Sequence, residues 1–178
     1  MLAIALALGA SLSWGLGDFL GGLKSRSLHV LTVLALSQAA GFAAVLVWLS
    51  LSGDGFPGWA SVAWAAAAGA GGLVGLGALY RGMAVGAMGI VAPISAVAAA
   101  IPFTVGVASG ERPGVLQVGG IALALAGVAL ASREPAAHGG GRAAGVGLAL
   151  VAAFGFGLYF VFLDRAAEAS VPYAVSTA

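Results

Sequence analysis

A single carboxylate interrupts the first apolar run of the chain. Residues 1–17 contain no Asp, Glu, Lys or Arg, and Asp18 comes next. An Asp at the centre of a membrane helix costs about 2.5–3.5 kcal/mol, while each Leu, Ile or Phe returns about 0.3–0.6. Eight such apolar residues lie between Leu2 and Leu20, returning roughly 2.4–4.8 kcal/mol on the same scale. The run therefore tolerates Asp18, and a carboxylate at that depth is chemically useful. It can hold a proton or a cationic solute in a cavity. The plainer alternative is an interfacial Asp paired with Lys24 or a lipid headgroup. Helical spacing puts Ser11, Trp14, Gly15, Asp18 and Gly22 on one face. Small residues there leave room, and Trp14 offers an aromatic wall or simply a packing aromatic.

Other positions suggest a site or a joint. Pro93 and Pro102 fall inside one apolar run; each removes a helical hydrogen bond and kinks the chain. Carbonyls freed there, together with Ser95, are cavity candidates, as is Tyr80 at the end of an earlier run. A static kink is the alternative. Arg81 reads as an interfacial anchor. Glu111 and Arg112 lie in a turn, with Glu111 before the positive end of the next helix, so both read as structural or gating residues. Gly9, Ser13, Gly17 and Gly21 recur every four residues, a ridge that lets another helix approach closely. Gly71 and Gly75 repeat that spacing.

Enzyme chemistry finds little footing. The chain has no Cys, which excludes thiolate metal sites, disulfides and cysteine nucleophiles. His29 and His138 stand in connecting segments, away from any acidic cluster. Gly139–Gly140–Gly141–Arg142 follows no strand pattern and is not a phosphate loop. No cofactor and no metal site is expected. A net charge of +1 gives no reason to expect nucleic acid as a partner.

The elements that must carry these residues are plain from composition. Charged residues make up 7% of the chain and hydrophobic ones 61%, against about 25% charged in a soluble domain. Residues 27–53, 55–80, 82–110, 113–132 and 143–163 carry no charge, and about 20 apolar residues suffice to cross a bilayer. Barrel strands are about 10 residues of alternating pattern, so these runs read as helices. The expectation is an all-α, polytopic membrane bundle of at least five spans. Six are expected, at about Leu2–Leu23, Val30–Leu51, Trp59–Tyr80, Val85–Ser109, Gly114–Ala131 and Ala143–Leu163. Arg81–Gly82 reads as the stop of the third span, and Pro113 as a first-turn residue of the fifth. A further apolar run opens at Val171.

An internal repeat organises the spans. Trp14–Gly15–Leu16–Gly17–Asp18–Phe19 and Phe154–Gly155–Phe156–Gly157–Leu158–Tyr159 share one pattern: aromatic, Gly, apolar, Gly, any, aromatic. The second copy follows the most polar stretch, Ser132–Arg142. The division expected is a five-span repeat over 1–131, a polar linker over 132–142 and the start of a second repeat over 143–178. Five is odd, so the second copy inserts upside down, a plan that recurs in secondary transporters. The expectation is a chain that is part of a longer protein.

Three stretches carry a resemblance to EamA-type transporters of the drug/metabolite transporter superfamily. They are SLSWGLGDFLGG around Trp14, LYRGMAVGAMGIVAPISAVAAAIPF over 79–103, and GERPGVLQVGGIALALAGVALAS over 110–132. The resemblance implies ten spans in two inverted five-span repeats, and carriage of small metabolites, amino acids or drugs by alternating access. It implies a cavity lined by spans 1, 3, 4 and 6, with Phe156 and Tyr159 facing Trp14 from the opposite repeat. The partners it implies are the bilayer of a plasma or inner membrane, a small-molecule substrate and a C-terminal repeat; a homodimer is compatible with it. The rivals are a non-transporting helical subunit completed by a partner, and an intramembrane enzyme. Lys24, Arg26, Arg81, Arg133 and Arg142 fall on one side and Arg112 and Arg165 on the other, which points the N-terminus outward. The resemblance implies a cytoplasmic N-terminus, and that orientation is preferred.

Overall fold

In a computed structural model, the described residues are 2–53, 55–131 and 142–178. They form helices joined by short turns, with no strand among them. The order is α1 (Leu2–Lys24), α2 (Val30–Ser52), α3 (Trp59–Val85), α4 (Met88–Ala96), α5 (Ala100–Ala108), α6 (Val115–Ala131), α7 (Arg142–Ala167) and α8 (Val171–Thr177). Five stretches are long and apolar enough to cross a membrane: Ile4–Lys24, Val30–Ser52, Trp59–Val85, Met88–Ala108 and Ala144–Ala167. α6, with 17 residues, sits at the short end of the spanning range. The chain is an all-α polytopic membrane protein. Most of the polar stretch expected as a linker, including Arg133 and His138, lies outside the described residues, as does Asp54.

The α3–α7 pair is the centre of the bundle. Gly71 and Gly75 on α3 face Gly155 on α7 so closely that a methyl group has no room. A Cβ at Gly155 would stand 2.7 Å from the Gly75 nitrogen and 2.8 Å from the Gly71 carbonyl oxygen. In lipid no hydrophobic force presses helices together, so close backbone contact between small residues does that work. Around this seam lies a core of Val33, Leu34, Ala78, Leu79, Tyr80, Met83, Val91, Ala149 and Ala152. A second cluster joins Ala65, Ala166 and Ala174, tying α8 to the far end of the seam. Large apolar side chains elsewhere point outward, among them Leu12, Leu16, Leu36, Leu116 and Leu123. An apolar exterior of that kind suits lipid rather than water.

Three boundaries differ from the sequence expectation. α3 runs through Arg81 and Gly82 to Val85. Gly82 is a packing glycine, not a stop: Val91 approaches its Cβ position to 2.9 Å. The fourth span is two helices. A 3-10 turn at Val97–Ala99 separates α4 from α5, between Pro93 and Pro102, each of which breaks the helical ladder. Pro113 precedes α6 rather than opening it. Gly114 is the residue before the first helical turn, and its N–H donates to the Gln117 side-chain oxygen at 2.7 Å, half of a capping box.

Glycine also ends two helices. Gly53 closes α2 with φ +70°, a left-handed conformation that costs other residues. At the end of α5, Gly110 has φ +98°. There the Glu111 N–H donates to the Gly106 carbonyl at 3.0 Å and the Gly110 N–H to that of Val107 at 3.0 Å. This paired closure is a Schellman motif, and it fixes the turn that carries Glu111 and Arg112.

Candidate functional site: the junction of α1, α3 and α7

α1 reaches α3 through its last turns. Gly21 lies against the Tyr80 ring and Gly22 against the Met83 side chain. Ser25, one turn on, is buried and donates its hydroxyl to the Gly21 carbonyl at 2.8 Å. The Arg26 Nε–H donates to the Met83 carbonyl at 3.3 Å. Asp18, Gly21, Gly22 and Ser25 follow helical spacing, so Asp18 shares the face that α3 covers. Asp18 is half-buried, one turn before the Gly21 that lies against the Tyr80 ring. Among the described residues Asp18 makes no ion pair; the pair with Lys24 weighed above is not formed. Tyr80 is 5% exposed, held between α1 and the core.

Aromatic side chains extend the site toward α7. Trp14 stacks on Phe160, ring centres 5.9 Å apart and planes 20° off parallel. Phe160 in turn meets Tyr159 edge-on at 5.2 Å. Tyr159 rests on Gly72 and Phe156 on Gly75, where Cβ atoms would come within 3.0 and 2.7 Å of the rings. Glycines on α3 thus act as seats for rings from α7. A half-buried carboxylate, two tyrosines and a stacked indole gather on three helices. Such a set can hold a cation through charge, ring faces and hydroxyls.

Not every candidate joins this group. Ser11 is exposed on α1, one turn before Trp14. Ser95 is buried on the broken span but donates its hydroxyl to the Ala92 carbonyl at 2.8 Å, within its own helix. Ile90, Val91, Ser95 and Ala98 are the buried positions there; nearby, Ile101 lies against Gly157 of α7. Pro93 is half-buried on α4. Glu111 and Arg112 are exposed in the α5–α6 turn. Of the ridge Gly9, Ser13, Gly17 and Gly21, Gly21 meets a neighbouring helix. Gly9 and Gly17 have nothing within 4 Å, and Ser13 is exposed. The packing on α1 is narrower than the four-residue ridge because α3 meets α1 near its C-terminal end.

Two contributors carried no sequence signal. Phe160 is one aromatic among several on α7, and nothing in the chain marks it as the partner of Trp14. His29 lies in a connecting segment, yet its Nδ1 accepts the Leu31 N–H at 3.3 Å and caps α2. For Gly72 the signal was its place beside the Gly71–Gly75 spacing. Neither the curated proteins nor the solved structures give a match to this chain. Residues 1–133 match the EamA-like transporter family, three quarters of the sequence including α1 and α3 of the site. The chain belongs to the EamA-like transporter family.

Proposed function

We propose that the chain supplies the first half of a secondary-active carrier for small metabolites, and that the α1–α3–α7 junction is where its solute or coupling proton binds. One observation carries this reading: Asp18 is half-buried in an apolar span, one turn before the glycine that packs on Tyr80, and forms no ion pair among the described residues. Ionisable groups kept in a membrane at such cost mark solute or proton paths. The ring contacts of Trp14, Phe160 and Tyr159 supply the adjoining wall. Alternating access would then rock the elements on either side of this junction, with the break at Val97–Ala99 as one hinge. The cell or inner membrane is the proposed location.

The open flank of α1 supports a bundle completed by further helices. Gly9, Gly15 and Gly17 have nothing within 4 Å. A second inverted repeat is the completion we favour, and a second copy of the chain is the alternative.

The test is uptake and resistance in cells expressing the gene's whole reading frame, at acidic and alkaline external pH, for Asp18→Asn against Asp18→Glu. Losing a charge-assisted contact should lower accumulation roughly tenfold or more, remove its pH dependence, and be partly restored by Glu. Unchanged accumulation with unchanged pH dependence in Asp18→Asn would remove Asp18 from the mechanism.

A further inference from the structure

A groove of about 440 Å³ opens between α5 and α6, away from the junction described above. Phe103, Val107 and Ile121 line its apolar part, and Glu111 and Arg112 stand at one end. The Schellman turn at Gly110 holds those two charges together, an anion and a cation on adjacent residues. Among the described residues neither makes an ion pair. The Glu111 carboxylate folds back over α5: a Cβ at Gly106 would meet its Oε2 at 2.6 Å. Glu111 is therefore set at the rim of the groove, exposed but lying against α5.

Depth decides what such a groove can hold. The charges lie in the turn where the chain leaves the bilayer, at headgroup level. Phe103 lies five residues before the end of α5 at Ala108, about 7–8 Å deeper along a helix at 1.5 Å per residue. A ligand lying along this line needs both charge signs at one end and a hydrocarbon tail at the other. We propose that the α5–α6 groove is a binding site for a phospholipid with a primary ammonium headgroup, phosphatidylethanolamine being the simplest. Arg112 takes the phosphate and Glu111 the ammonium. One acyl chain runs past Val107 and Ile121 toward Phe103. A lipid with a phosphate but no cation leaves Glu111 facing a like charge. A trimethylated headgroup offers Glu111 no N–H to accept. Both are therefore weaker occupants. The site does not depend on the transport reading.

Native mass spectrometry of the 178-residue chain, released from mixed-lipid nanodiscs, tests the site. Phosphatidylethanolamine should be retained roughly tenfold over phosphatidylglycerol and phosphatidylcholine, the scale of one charge-assisted hydrogen bond. Glu111→Gln should erase that preference and Arg112→Gln should lower retention of all three lipids, while Lys24→Gln leaves both intact. Ile121→Trp fills the apolar wall without touching the turn, and should lower retention of all three lipids. It keeps the test decisive if a turn variant loses helicity by circular dichroism. Equal retention of the three lipids by the unaltered chain overturns the proposal. So does a preference that survives in helical Glu111→Gln, or retention that Ile121→Trp leaves unchanged.

Discussion

Two carbonyls at helix ends find partners on other elements. The Ser61 hydroxyl of α3 donates to the Ala166 carbonyl at 2.7 Å, buried at both ends. Ala166 lies in the last turn of α7, where carbonyls have no intrahelical donor. Arg26 does the same for Met83 in the last turn of α3, and adds a cation at the negative end of that helix. Neither pairing was legible in the chain, because a serine in an apolar span says only that some acceptor is near. Ser61→Ala should destabilise the purified chain by about 1–2 kcal/mol, since it strands a buried carbonyl. Arg26→Ala should cost about 0.5–1 kcal/mol, its contact being exposed on one side. The measurement is the midpoint of unfolding in mixed micelles as denaturing detergent is added. A Ser61→Ala midpoint equal to that of the unaltered chain would mean the bond contributes nothing.

Helices are specified here by where charge is absent, and pairs of helices by where side chains are absent. The charge-free intervals gave the spans to within a few residues, because the cost of an ion in lipid fixes where a span must stop. The α3 boundary went wrong at Arg81–Gly82 for a physical reason. One exposed Arg at a helix end reaches the interface without ending the helix, and Gly82 serves Val91. Spacing identified Gly71 and Gly75 as surfaces of close approach, but spacing cannot say which helix approaches. The structure answers with Gly155. Gly155→Ala should therefore cost about 1–3 kcal/mol, because backbone rather than a flexible side chain meets the new methyl. Gly147→Ala on the same helix meets nothing within 4 Å and should be neutral or slightly stabilising, as alanine favours helix. Gly110→Ala should weaken the α5–α6 turn by about 1–2 kcal/mol, the cost of a left-handed residue with a Cβ. Equal midpoints for Gly155→Ala and Gly147→Ala in the same detergent titration would count against the tight α3–α7 seam.

The two copies of the repeat motif are used unequally across the whole molecule. In the second copy Gly155 meets α3 and Gly157 meets Ile101 of α5. In the first, Gly15 and Gly17 meet nothing within 4 Å, and Phe19, the counterpart of Tyr159, is 53% exposed. Matching motifs in matching helices argue for matching use, so the flank of α1 expects helices equivalent to α3 and α5. Gly15→Leu and Gly17→Leu should then leave the 178-residue chain as stable as before, because both side chains enter lipid. In the two-repeat carrier proposed above the same changes should destabilise by about 1–3 kcal/mol through overpacking, and transport should fall with it. Gly155→Leu should be harmful in both settings, which separates a general intolerance of bulk from a contact made only in the larger assembly. Co-expressing the 178-residue chain with a separate polypeptide carrying the second repeat proposed above distinguishes a second repeat from a second copy. If a second copy fills the flank, the 178-residue chain alone will crosslink to itself through a cysteine placed at Gly15, which meets nothing within 4 Å. If a second repeat fills it, the Gly15 cysteine crosslinks only to a cysteine placed on that other polypeptide. Leucine at Gly15 and Gly17 that passes unnoticed in the two-repeat carrier would show that α1 keeps its lipid-facing flank there.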